Sequence, residues 1–125
     1  MIRVLIIEDN ETILANTAEL LELEGYKSLT ASNGKEGLEK ILHLVPDVIL
    51  CDLCMPEMDG FNVLKHLGEH RTLQRIPFIF FSVKSDKIDV MRGLESGADD
   101  YITKPFEMED LLKSIEKCLL KKKLS

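Results

Sequence analysis

Val48-Ile49-Leu50-Cys51-Asp52-Leu53-Cys54-Met55-Pro56-Glu57-Met58-Asp59-Gly60 is the stretch on which the fold turns. An apolar run delivers a single carboxylate, Asp52, where the run stops, and a turn rich in Pro, Asp and Gly follows at once. Short apolar runs bounded by turn residues read as buried strands, here of a parallel sheet covered on both faces. Ligands of open α/β sheets bind outside the carboxyl ends of the strands. Asp52 therefore sits at a strand tip where chemistry is expected.

Working outward, four more runs of this kind appear. Arg3–Ile7 is a strand stopped by Glu8-Asp9-Asn10. Tyr26–Ala31 is a weaker strand, Pro77–Ser82 an aromatic one, and Asp100–Thr103 a brief one before Lys104-Pro105-Phe106. Helical spacing fills the intervals: Glu11–Glu24, Glu36–Leu44, Phe61–Glu69, a helix capped by Ser85 or Asp86 and ending near Ser96, and Glu107–Lys122. In the fourth helix Ile88, Met91 and Leu94 fall on one side; in the last, Leu111, Ile115, Cys118 and Leu119 form the apolar stripe. Strands alternating with helices imply an α/β sheet with right-handed crossovers and all strands pointing the same way. Their tips then bring Glu8, Asp9, Asp52, Ser82 and Lys104 to one edge.

The chain has 125 residues, enough for one good core, with 45% hydrophobic and 30% charged residues. Its net charge of −6 argues against nucleic-acid or membrane-surface binding by the domain. Met1-Ile2-Arg3 leads straight into a strand, without a signal peptide or membrane-length apolar run, so a soluble cytoplasmic protein is expected. Three cysteines are too few and too odd for a disulfide framework.

Three carboxylates against Lys104 would repel one another and push one pKa up. Either one acid is protonated, or a cation lies between them. Oxygen ligands without His or thiolate suit a hard ion, and a shallow site of few carboxylates suits Mg²⁺, which keeps waters and leaves positions open for phosphoryl oxygens. Lys104 and the Ser82 hydroxyl would supply donors to those oxygens, and Asp52 is the natural carboxylate nucleophile.

With Glu8-Asp9, Asp52, Met55-Pro56, Asp59-Gly60, Ser82, Tyr101 and Lys104-Pro105-Phe106 in order at strand ends, the chain resembles the receiver domain of bacterial response regulators along essentially its whole length. The resemblance implies a single domain over residues 1–125; Lys121-Lys122-Lys123 is most simply a solvated helix end, with the start of a linker over 120–125 as the alternative. It implies a flavodoxin-like, doubly wound three-layer sandwich around a five-stranded parallel sheet of order 2-1-3-4-5. Asp52 would accept a phosphoryl group from a sensor histidine kinase or phosphotransfer protein. Mg²⁺, with Mn²⁺ as a substitute, would be held by Asp9, Asp52 and the Cys54 backbone carbonyl, with Glu8 acting mainly through water. Lys104 would pair with the phosphoryl group and precede a cis Pro105. Ser82 and Tyr101 would switch, altering the face of the fourth helix, fifth strand and fifth helix that binds a downstream effector or output domain. Whether the chain forms a homodimer through that face stays open. Such a domain is a switch that helps catalyse its own phosphorylation and dephosphorylation, not a turnover enzyme.

Cys54, Val83 and Lys84 occupy positions that tune the lifetime of the phosphorylated state in that family. Val83 stands where a small residue such as Ala is commoner, and slower access to Asp52 is expected. Cys51-Asp52-Leu53-Cys54 spells C-x-x-C, but it opens no helix and has no second ligand pair, so neither redox nor zinc chemistry is expected. His43, His66 and His70 lie away from the strand tips. A flavodoxin would need a Ser/Thr/Gly-rich phosphate cradle where Glu8-Asp9-Asn10 stands, and a haloacid-dehalogenase-like phosphatase would need D-x-D after its first strand. A degenerate receiver acting as a constitutive binding module would lack the acceptor, the lysine or the acids, and all are present.

Overall fold

A computed structural model describes residues 1–124; Ser125, the end of the alternative linker segment, lies outside the described residues. Among the described residues the chain runs β1 (Arg3–Ile7), α1 (Glu11–Leu23), β2 (Lys27–Ala31), α2 (Gly34–Leu44), β3 (Val48–Asp52), α3 (Gly60–Gly68), β4 (Phe78–Ser82), α4 (Lys87–Glu95), β5 (Asp100–Thr103) and α5 (Met108–Leu124), with one 3₁₀ turn at Leu73–Arg75. All strand pairs are parallel and the order is β2-β1-β3-β4-β5. This is the expected flavodoxin-like sheet.

The strand alternation sorts the core into two layers. Val4, Ile6, Val48, Leu50, Ile79 and Phe81 meet Leu21 of α1 and Leu111, Ile115 and Cys118 of α5. On the other face Leu5, Ile7, Ile49, Cys51, Phe78 and Phe80 meet Ile41 of α2 and Val63 and Leu67 of α3. Every residue of β3 and β4 is buried, as central strands of a doubly covered sheet must be. No helix among the described residues is long and apolar enough to cross a membrane.

Helix starts follow local chemistry. The Asn10 side chain accepts from the backbone N–H groups of Thr12 and Ile13 at 3.0 and 3.1 Å and caps α1. Asn33 caps α2 through Glu36 N–H at 2.8 Å, so that helix begins at Gly34, two residues before the expected Glu36. Asp59 and Asn62 exchange bonds in a capping box on α3. Asp86 stands at the N-cap of α4 as expected, yet its side chain makes no capping bond.

Two features go beyond what the apolar periodicity marks. The fourth-helix stripe of Ile88, Met91 and Leu94 is exposed, and the buried residue of α4 is Gly93. There the missing side chain is what permits packing: a Cβ on Gly93 would lie 2.7 Å from Tyr101 Cδ2 and 3.3 Å from Phe80 Cδ2. The C-terminal helix also continues to Leu124, so residues 120–124 are helical.

Gly60, where α3 leaves the loop after Asp52, is tighter still. Its Cβ would come within 2.6 Å of the Asp52 carbonyl oxygen and 2.8 Å of Phe80 Cε1. A backbone atom cannot rotate away, so Gly60→Ala should cost about 2–3 kcal/mol. At Gly37 the Cβ would meet Ile7 Cδ1 at 2.5 Å and Cγ1 at 2.9 Å, a fully buried side chain that can give way only in part, and Gly37→Ala should cost about 1–2 kcal/mol, less than the clash with backbone at Gly60. Urea midpoints of the two variants, compared with the parent, check the difference.

Candidate acidic site at the strand tips

Parallel register assembles the site. Ile7 pairs with Cys51, Asp52 with Phe81, and Ser82 with Thr103, so the residues ending β1, β3, β4 and β5 share one edge. Glu8 follows β1 and is 1% exposed; Asp52 ends β3 and is 6% exposed; Ser82 ends β4, fully buried. Asp9 is exposed, giving the cluster its opening to solvent. Lys104 follows β5 and reaches back across the edge.

The Lys104 ammonium donates to Glu8 Oε1 and lies 3.5 Å from Asp52 Oδ1. Asp52 Oδ1 also accepts from Cys54 N–H at 3.3 Å, and Glu8 Oε2 from Asn10 N–H at 3.1 Å. The Lys104–Pro105 peptide is cis, as the resemblance implied, and the Lys104 N–H donates to the Ser82 carbonyl at 2.7 Å.

Carboxylate oxygens of Glu8, Asp9 and Asp52 lie within 4.8 Å of one another. One ammonium cannot balance three such groups, and their pKa values shift apart. Burial, and then the carboxyl of Glu8 beside it, push Asp52 up to about 7, against the pull of Lys104. Burial also opposes ionisation of Glu8, but the hydrogen bond donated by Lys104, followed by the contact with Asp52 and the bond donated by the Asn10 N–H, outweighs it and holds Glu8 below the ordinary range. Asp9 is raised by burial and by its neighbour Glu8. Three hard oxygen donors, converging and under-neutralised with one open to solvent, fit a small divalent cation such as Mg²⁺.

The remaining expected residues surround this centre. The Ser82 hydroxyl accepts from Lys84 N–H at 3.1 Å. Tyr101 is half-buried, its ring 6.2 Å from Phe80 and its hydroxyl donating to the Lys84 carbonyl at 2.7 Å. Ser82, Lys84 and Tyr101 thus form one chain of contacts across the β4–α4 loop. Val83, Cys54 and Lys84 are exposed on the rim.

Cys51 lies in the core with its thiol pushed well up by burial, Cys54 is exposed in the following loop, and Cys118 is buried under α5. His43, His66 and His70 are exposed on or just after α2 and α3, outside the cluster.

One contact escaped the sequence. The Lys104 ammonium stands 4.5 Å from the centroid of the Phe81 ring. The only signal for it was an aromatic residue immediately before Ser82, and β4 carries three phenylalanines.

Comparison with known proteins agrees with this geometry. The family model described as "Response regulator receiver domain" matches residues 4–116. The transcriptional regulatory protein DltR of Streptococcus agalactiae is 42% identical over 113 residues, 90% of this chain but 50% of DltR. The chain likewise spans about half the length of the response regulator ArlR of Staphylococcus saprophyticus. Protein PilH of Pseudomonas aeruginosa is 36% identical over 95% of this chain and 98% of its own length. The crystal structure of a response regulator receiver domain protein from Clostridium thermocellum superimposes with a TM-score of 0.91, at 30% identity, covering 99% of this chain and 98% of that one. The chain therefore belongs to the response regulator receiver domain family, the phosphorylation-activated signalling switches of two-component systems.

Proposed function

We propose that Asp52 is the phosphoacceptor of this switch and that Glu8, Asp9, Asp52 and the Cys54 backbone carbonyl hold Mg²⁺, which Mn²⁺ can replace. The observation that carries the reading is the convergence of three carboxylates and one lysine on a single strand edge. When bound, the ion neutralises the carboxylates and the phosphoryl oxygens. One Asp52 carboxylate oxygen attacks the phosphorus of a phosphohistidine on a sensor kinase or phosphotransfer protein. A P–O bond forms, the P–N bond breaks, and the imidazole leaves with the electron pair and takes up a proton. Lys104 supplies positive charge to the phosphoryl oxygens, and the Ser82 hydroxyl donates to one of them. Such positioning is most of what phosphoryl transfer requires. Water attacking the same phosphorus reverses the modification, so the domain helps catalyse its own phosphorylation and dephosphorylation in the cytoplasm.

The new group adds about −1.5 to −2 charge and strong acceptor oxygens beside Ser82. Ser82 leaves Lys84 N–H, the β4–α4 loop repacks, and Tyr101 follows because its hydroxyl is tied to the same loop. The face of α4, β5 and α5 then presents a different surface to a downstream effector or output domain.

Intact mass after incubation with acetyl phosphate tests the acceptor. A gain of one phosphoryl group is expected with Mg²⁺, none without it, and none for Asp52→Ala; an unchanged gain in Asp52→Ala removes Asp52 from the role. Val83, exposed at the rim, is expected to slow access. Val83→Ala should raise both the phosphorylation and dephosphorylation rates, and unchanged rates overturn that role.

A further inference from the structure

Three groups hold the Lys104 ammonium: the Glu8 carboxylate, the Asp52 carboxylate at 3.5 Å, and the face of Phe81. Phe81 is itself fixed. It is fully buried, lies between Asp52 and Ile102 in the strand register, and tilts against Phe106 with ring centroids 6.3 Å apart. The three holders differ in what they do when a divalent cation arrives. Glu8 and Asp52 belong to the oxygen cluster, so an ion there draws on the charge that retains Lys104 and also repels the ammonium. An aromatic face carries partial negative charge through its quadrupole, attracts an ammonium, and offers no oxygen ligand to a hard ion.

We infer that Phe81 is a positioning residue for Lys104, its ring face keeping the ammonium beside Asp52 when the carboxylates are engaged by a metal ion and a phosphoryl group. An aliphatic side chain would fill the same space in the core without this attraction. The consequence for phosphorylation rests on Asp52 as the acceptor; the contact itself rests on the geometry of Lys104 and Phe81 alone.

Fluorinated phenylalanines separate the two roles of the ring, because fluorine drains the face of electron density with little change in shape. Mono-, di- and trifluorophenylalanine are placed at position 81 of the full chain, beside Phe81→Leu. The first readout is the Lys104 ε-methylene proton resonance at saturating Mg²⁺. Ring current should hold it upfield in the parent, and it should move toward the free-lysine position through the fluorinated series and reach it in Phe81→Leu. The second readout is the rate of phosphoryl uptake from acetyl phosphate at saturating Mg²⁺. It should fall stepwise with fluorination, by about three- to thirtyfold at the end of the series, as loss of one cation–π contact implies. A free-lysine resonance in the Mg²⁺-loaded parent, or a rate that does not change across the series, overturns the inference. If the parent takes up no phosphoryl group, the assignment of Asp52 fails instead, and the resonance still decides whether Phe81 holds Lys104.

Discussion

Lys104→Met is expected to destabilise the metal-free protein by about 3 kcal/mol near pH 8, the range for removing one partner of a buried ion pair. The methionine replaces most of the apolar stem of the side chain, so the loss is chiefly electrostatic. Glu8, only 1% exposed, would keep its charge with the Asn10 N–H as its remaining backbone donor. Asp52 would lose the one positive group that opposes its burial. Lys104 is also the leading cause of the lowered Glu8 titration, so Glu8 in the variant should titrate upward. Protonation then relieves the unpaired charges, and the deficit should shrink as the pH falls toward about 4, where ordinary carboxylates begin to protonate. Urea unfolding of parent and variant at both pH values measures this. Equal deficits at the two values would show that lost packing, not unpaired charge, causes the effect. The double variant Glu8→Gln/Lys104→Met should recover much of the loss near pH 8, since it removes the stranded charge together with its partner.

Asp52→Asn should stabilise the metal-free protein near pH 8 while abolishing phosphoryl uptake. A carboxyl whose folded pKa lies above its unfolded value favours the fold when protonated. That contribution is complete below the unfolded pKa and is lost as the pH rises through the folded one. For Asp52 the window runs from the ordinary 3.8 to about 7, so above it the native state carries an ionised group it disfavours. Glu8, lowered by Lys104, works in the opposite sense and offsets part of this. The expected net gain for Asp52→Asn is roughly 1–3 kcal/mol near pH 8, vanishing near pH 4. Mg²⁺ at the proposed site should narrow the gap between parent and variant by stabilising the parent more, because the variant has lost one of the charges of the acidic cluster. A variant no more stable than the parent at the higher pH would mean that Asp52 is ionised there without cost.

The strand tips were legible because β strands of a parallel sheet leave a simple signature. β1, β3, β4 and β5 are short runs each ending in or followed by a polar residue, and the parallel direction of the strands sends those ends to one edge. Glu8, Asp9, Asp52, Ser82 and Lys104 therefore emerged from pattern alone, and the geometry brings the three acids and the lysine into contact. The α4 surface was not legible in the same way. Apolar periodicity marks Ile88, Met91 and Leu94, but α4 approaches the sheet through Gly93, whose value lies in the side chain it lacks. Phe81 escaped for a different reason. Its ring serves the core, as any strand phenylalanine would, and its second contact depends on where a lysine from another strand ends. Asp86 likewise occupies a cap position that sequence can mark, while whether its carboxylate bonds to the helix depends on loop geometry.

The link between Glu8 and Lys104 joins residues 96 positions apart. Contacts of such long separation carry the largest loop-closure cost and form only after much of the chain has been ordered. Glu8 and Asp9 follow β1 and Asp52 ends its neighbour β3, all in the first half of the chain, whereas Lys104 follows β5 at the far edge of the sheet. A partly folded chain with three strands in place would hold Glu8, Asp9 and Asp52 together with no lysine opposite them, a cluster that disfavours its own completion at neutral pH until β5 docks. Divalent cations should therefore act on assembly as well as on signalling, screening the acids during the interval before Lys104 arrives.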